Sequence, residues 1–254
     1  MSEPMILPGC EPLSSDGSRD AGVLVIHGFT GNPSSLRAQA DSFAELGYHV
    51  ELPRLPGHGT TIDDMLRTNW ADWSGEVEAA YQRLASRTAN IVVMGLSMGG
   101  TLTLWAGLQH SAVAGLILVN PAAANQADEA RAMIKEMVED GTAVAPGIGS
   151  DIADPDATEI AYEGTPLVPL LSLYNDGVAP IADRYGDLAM PILLYTSKND
   201  HVVPPAASDH LAATAGGVVE HVLLERSYHV ATQDYDAADI TAGAAAFIAR
   251  VTGA

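Results

Sequence analysis

The chain alternates short, continuously apolar runs with longer stretches in which apolar residues recur every three or four positions. Gly22-Val-Leu-Val-Ile-His27 is such a run, the pattern of a strand buried on both faces. Residues 34–46 then carry apolar positions at helical spacing, Gly47 ends that helix, and residues 48–52 resume a strand. The same rhythm predicts a helix over 73–86, a strand at 91–94, a helix opening at Met98 and a strand at 115–120. Farther along come strands at 191–196 and 218–224, then an Ala-rich helix over about 237–251. Strand–helix–strand alternation predicts an α/β fold, a mostly parallel central sheet with helices on both faces.

One segment breaks the rhythm. Between Ala122 and about Gly186 no buried strand is evident, yet Met133, Ile134, Met137, Val138, Ile148, Leu167, Leu170 and Leu171 recur. The expectation is a single domain over 1–254 with a cap inserted at about 122–186. Such a cap would lie over the C-terminal edge of the sheet, where open α/β folds bind ligands. There is no internal repeat and no low-complexity tract.

Composition narrows the function classes. With 47% apolar and 17% charged residues, the chain can build a sizeable core and is not disordered. Twelve basic against 32 acidic residues leave a net charge of −20, and only Lys135 and Lys198 are lysines. Binding to nucleic acid or to anionic lipid depends on clustered Lys and Arg, so neither is expected as a partner. Cys10 is the single cysteine and forms no internal disulfide. The first twenty residues lack a basic start followed by an apolar run, and no apolar stretch approaches the roughly 20 residues of a membrane helix. The expectation is a cytoplasmic protein without stable membrane insertion.

The strongest chemical signal is Gly95-Leu-Ser97-Met-Gly99, between a predicted strand and a predicted helix. A serine on a sharp strand-to-helix turn presents its hydroxyl above the sheet edge, and flanking glycines let strand and helix approach closely. An ordinary Gly-rich turn is the bland alternative, and the strand and helix on either side weigh against it. A nucleophilic serine needs a base, and the base an orienting acid. Asp200 follows the strand at 191–196, and His229 follows the strand at 218–224, so Ser97, Asp200 and His229 stand in hydrolase order. The oxyanion hole needs two backbone N–H donors. Met98, next to the serine, and Phe29, in His27-Gly-Phe-Thr-Gly31, are the candidates. His27 and His58 are read as braces for their loops, His201 as facing the lid or solvent, and His49, His110, His210 and His221 as surface residues. Neither HExxH nor a paired Cys/His spacing is present, so no metal site is expected.

On these strings the chain resembles the bacterial thermostable monoacylglycerol lipases, α/β hydrolases close to small bacterial carboxylesterases. The likeness runs nearly end to end. It includes Leu52-Pro-Arg-Leu55, Gly57-His-Gly-Thr60, Gly95 to Leu104, Ile148-Gly-Ser-Asp151, Ala161-Tyr-Glu163, Asp200-His-Val-Val-Pro-Pro205 and Ser227-Tyr-His-Val-Ala-Thr232. The resemblance implies Ser97 as nucleophile, Asp200 as acid, His229 as base, and Phe29 and Met98 as oxyanion donors. It further implies Ile148 as a cap residue that influences acyl-chain choice, Glu159 as the acid that contacts glycerol hydroxyls, and Asn120 as a polar position below it. Residues 123–143 depart from the family pattern and are more acidic, which bears on chain-length preference.

The reading is a cofactor-free serine ester hydrolase that cleaves monoacylglycerols, with a small lipid ester as its partner and a homodimer as an option. A broad short-chain carboxylesterase without glycerol selectivity is the rival within the same chemistry, and a carbon–carbon bond hydrolase would also keep the serine. A non-catalytic binding module is the rival from another class. It would have no need of all three residues and would be unharmed by Ser97→Ala.

Overall fold

The computed structural model describes residues 4–124, 128–147 and 150–254. In chain order the strands and α-helices are β1 (Leu13–Ser15), β2 (Gly22–Ile26), α1 (Arg37–Glu45), β3 (His49–Leu52), α2 (Ile62–Met65), α3 (Trp70–Ala85), β4 (Ile91–Leu96), α4 (Met98–Gln109) and β5 (Gly115–Val119). Then follow α5 (Asp128–Glu139), β6 (Val144–Pro146), β7 (Gly164–Pro166), α6 (Leu167–Ser172), α7 (Ala179–Ala182), β8 (Ile192–Ser197), α8 (Ala206–Thr214), β9 (Val219–Leu224) and α9 (Ala237–Thr252).

Seven strands form one sheet in the order β1-β3-β2-β4-β5-β8-β9, parallel throughout except for β1, which runs antiparallel to β3. The apolar runs explain the core directly. Successive residues of a strand point to opposite faces, so Leu24, Ile26, Val93, Leu116, Leu118 and Leu194 enter one core while Val23, Val25, Met94, Ile117, Val119 and Leu193 enter the other. Trp73, Val77 and Leu84 of α3 and Leu102 of α4 fill the first core. Phe43 of α1 and Ile240, Phe247 and Ile248 of α9 fill the second. Helices on both faces are thus as the sequence predicts.

The differences lie at ends and in short elements. The helix expected to begin at Trp73 begins at Trp70, because Asn69 caps it: the Asn69 side chain accepts from Ala71 N–H at 2.8 Å and Asp72 reaches back to Asn69 N–H at 2.9 Å. That capping box is written in the sequence as Asn-x-x-Asp. Strand β1 has too few residues for a periodic signal and follows from pairing with β3 alone. Residues 128–147 and 150–188, between β5 and β8, hold the two-stranded antiparallel ribbon of β6 and β7, helices α5 to α7, and a π-helical turn at Leu173–Val178. None of the α5 residues is fully buried. Among the described residues no helix is long and apolar enough to cross a membrane.

Candidate active site

Ser97 occupies the turn between β4 and α4 with φ 56° and ψ −118°. A non-glycine residue there stores on the order of 1–3 kcal/mol of strain, which the surroundings must hold in place. Four hydrogen bonds do so: Ser97 N–H donates to Val119 O at 3.0 Å, and Ser97 O accepts from Ala122, Gly100 and Thr101 N–H at 3.1, 2.9 and 3.2 Å. The flanking glycines are demanded by contact. A Cβ at Gly95 would lie 2.1 Å from Gly99 O, and one at Gly99 would lie 2.1 Å from Ile26 O.

Asp200 and His229 meet as the sequence predicts. His229 Nδ1 is 2.8 Å from Asp200 Oδ2, and both side chains are almost wholly buried. The other carboxylate oxygen, Oδ1, accepts from Val202 and Val203 N–H, each at 2.8 Å. Two such bonds orient the carboxylate as an acceptor, so Nδ1 of His229 carries the proton and Nε2 is left as the basic nitrogen. Ser97 and His229 line the same cavity, without a direct hydrogen bond between them among the described residues.

Beside this turn runs the loop that follows β2. His27 is fully buried. Its Nε2 accepts from Leu55 N–H at 3.1 Å, so the proton is on Nδ1, which donates to Gly28 O at 3.0 Å. Burial pushes His27 well below the ordinary histidine range and His58 down to about 4, so both rings stay neutral at pH 7. His58 Nδ1 donates to Pro56 O at 3.0 Å, and its ring meets those of His27, Phe29 and Trp73 edge-on. The bracing roles read from the sequence hold. Neither Phe29 N–H nor Met98 N–H donates to a protein acceptor among the described residues.

The cavity encloses about 210 Å³ and is walled by two sets of residues. Gly28, Phe29, Thr30, Leu96, Ser97 and His229 come from the sheet's loops; Glu159, Ala161, Tyr162, Thr165, Leu170, Leu173 and Tyr174 come from the segment between β5 and β8. The two sets are bolted together. Tyr162 N–H donates to Thr30 O at 3.2 Å, Asn32 donates its amide to Ile160 O, and Tyr162 Oη donates to Gly57 O at 2.7 Å. This pinning aims Glu159 at the loop: its Oε1 lies 3.2 Å from where a Gly31 Cβ would stand. No hydrogen-bond partner for the Glu159 carboxyl is present among the described residues. Burial raises it to about 7, an effect partly opposed by the nearby His229.

Two expectations change. Asn120 is not a cavity residue. It is buried with φ 44°, its Nδ2 donates to Ser197 Oγ at 2.9 Å and to His229 O at 2.8 Å, and its Oδ1 accepts from Ser197 N–H at 2.7 Å. Its side chain is spent on tying β5 to β8 and to the His229 loop. His110 is not simply at the surface either: it stacks on Tyr81 with ring centres 3.8 Å apart and bonds Glu78 at 2.7 Å. Ile148 lies outside the described residues. Asn32, Tyr162 and Asp151 were not singled out by sequence reasoning, because each acts through contacts across more than a hundred or several tens of residues and leaves no local pattern. Among the described residues no cluster of three His, Cys, Asp or Glu side chains could hold a metal ion.

Comparison with known proteins agrees with this geometry. Residues 17–236 match the family described as serine aminopeptidase, S33. The chain is 39% identical over 251 residues to the thermostable monoacylglycerol lipase of Bacillus sp. (strain H-257), covering 98% of each. It is 35% identical to the carboxylesterase of Bacillus subtilis (strain 168) over 98 residues, 38% of this chain and 39% of that one. A solved structure reported for the metagenome-derived lipolytic enzymes LipS and LipT superposes with a TM-score of 0.91 at 40% identity, covering 97% of this chain and 100% of that one. With a family match across most of its length, a relative alike from end to end, and the parallel sheet that carries a serine on its central turn, the chain belongs to the serine aminopeptidase S33 family and is an α/β-hydrolase enzyme of the lipase and esterase kind.

Proposed function

We propose that this enzyme cleaves monoacylglycerols to fatty acid and glycerol through an acyl-enzyme on Ser97. His229 Nε2 takes the Ser97 proton, Ser97 Oγ attacks the ester carbonyl, and the Phe29 and Met98 amides donate to the tetrahedral oxyanion. Each such donor contributes on the order of 3 kcal/mol of transition-state stabilisation. His229 then protonates the departing glycerol oxygen, and water repeats the sequence to release the acid. Asp200 holds the imidazole tautomer and offsets its charge when protonated. Residues 122–186 serve as the cap, with Leu170, Leu173 and Tyr174 as the apolar wall for the acyl chain.

The observation that carries the glycerol reading is Glu159, a carboxyl in the wall beside Ser97 and His229 with no hydrogen-bond partner among the described residues. A small alcohol with two free hydroxyls supplies the missing donors. Esters that lack them leave the carboxyl unpaired, which costs affinity. The sequence likeness to the Bacillus monoacylglycerol lipase supports the same reading.

The test compares kcat/KM on 1-monolauroylglycerol, dilauroylglycerol and methyl laurate. Preference for the monoacylglycerol, lowered on Glu159→Gln and with all hydrolysis lost on Ser97→Ala, is the expected result. Equal rates on monoacylglycerol and methyl laurate would leave a general carboxylesterase.

A further inference from the structure

Asp151 belongs to the segment between β5 and β8, yet its carboxylate reaches both loops that carry the acid and the base. Oδ2 accepts from His201 N–H at 3.1 Å and from His229 N–H at 3.1 Å. The first donor is the residue next to Asp200, and the second is the base itself. Oδ1 lies 2.8 Å from His201 Nδ1, and Asp151 O accepts from Val230 N–H at 3.0 Å. Two residues on, the bond direction reverses: Asp234 accepts from Ala153 and Asp154 N–H at 2.7 and 3.1 Å while also accepting from Tyr228 N–H at 2.9 Å. A carboxylate that merely braced a turn would find its donors nearby in the chain. Those of Asp151 are 50 and 78 residues away, on two different strand ends.

From this geometry we infer that Asp151 is a positioning residue for catalysis: one oxygen of its carboxylate fixes the distance between Asp200 and His229. The inference rests on the roles proposed above for Ser97, Asp200 and His229. Its consequence is that the base is held in register by a residue of the cap segment, so displacement of that segment misplaces the imidazole. A shift of about 1 Å in a catalytic group can cost on the order of 100-fold in rate.

The experiment uses the full chain and a soluble short ester, p-nitrophenyl butyrate, with phosphonylation of Ser97 by a fluorophosphonate as a second rate. Asp151→Ala should lower kcat and the phosphonylation rate together by about 100-fold, with KM little changed. The far-downfield imidazole proton signal of the Asp200–His229 pair should broaden or vanish. Asp151→Asn keeps an oxygen acceptor at the same reach and should recover to within about tenfold of the parent, one lost charge-assisted bond being a modest term. Asp151→Ser, too short to bridge both loops, carries the same reading if the alanine variant does not fold. Wild-type kcat in Asp151→Ala or Asp151→Ser, a loss confined to KM, or an asparagine variant as slow as alanine would each overturn the inference. Ser97→Ala in the same series separates the failures: activity surviving there refutes the serine mechanism, whereas an inert Ser97→Ala beside a fast Asp151→Ala refutes only the bridge.

Discussion

Glu159 is a cavity carboxyl whose chemistry burial has altered. Its carboxyl is raised to about 7, chiefly because the cavity wall withholds solvent from the charged form. Ionised, it is a pure acceptor for two hydroxyl donors; protonated, it has a donor of its own and accepts more weakly. Selectivity for monoacylglycerol over methyl ester should therefore rise as pH passes through about 7, and Glu159→Gln should flatten that rise. The ratio of the two kcat/KM values, measured from pH 5.5 to 8.5 in the manner of any pH–rate profile, cancels every pH dependence that the two substrates share. Stability carries a linked signature. The folded chain keeps a proton that the unfolded chain releases at the ordinary value of 4.5, so the contribution of Glu159 is full below that value and is lost as pH rises to about 7. Glu159→Gln should remove that part of the decline in Tm, and an unchanged Tm–pH slope would show that solvent reaches the carboxyl more freely than its shift implies.

At the scale of elements, the site depends on how closely β2, β4 and α4 pack. The Gly99 backbone leaves no room for a methyl group against Ile26 O, and Gly95 none against Gly99 O. Gly99→Ala must push α4 off the sheet and take Ser97 with it, a cost on the order of 3 kcal/mol, read as a lowered midpoint in urea together with lost hydrolysis. Those glycines, the serine between them and the strand before it were legible from the sequence, because a buried strand, a sharp turn and a helix start each have a local pattern. Asp200 and His229 were legible for a related reason: each follows a β-rich run, and parallel topology brings successive strand ends to one edge. The family resemblance offers Asn120 as a polar position below Glu159, but neither a resemblance nor strand periodicity names the partners of a side chain, and the structure spends this one on Ser197 and the His229 carbonyl. Only the pairing of β5 with β8 brings its amide to Ser197 and to the His229 carbonyl. Asp151 and Tyr162 were silent as roles for the same reason, since their partners lie in other strands' loops.

Across the whole molecule, the sequence counts 32 acidic residues without sorting them. The fold sorts some of them inward: Glu51, Asp234 and Asp236 are buried and bonded, Glu51 to Arg83 at 3.0 Å and Asp236 to Ser227 Oγ at 2.8 Å. Asp200 and Asp151 are likewise occupied with backbone donors. These carboxylates stabilise loops and strands by short-range bonds that added salt screens little. The remainder stand largely at the surface, where Asp16, Asp128 and Asp239 are exposed even while paired to arginine, and such exposed pairs contribute little. With only 12 basic residues to oppose them, the surface acids repel one another over distances comparable to the Debye length, which falls from about 30 Å at 0.01 M salt to about 3 Å at 1 M. Raising sodium chloride across that range should therefore raise Tm. The effect should saturate once screening is shorter than the spacing of neighbouring acids, and it should shrink as pH is lowered and surface carboxylates are neutralised. Sodium chloride is the salt to use, because sulfate would strengthen apolar burial as well and blur the cause. A Tm indifferent to sodium chloride at pH 7 would mean that the arginine pairs and inward-facing carboxylates already balance the surface field, and that the net charge of −20 costs the folded state nothing.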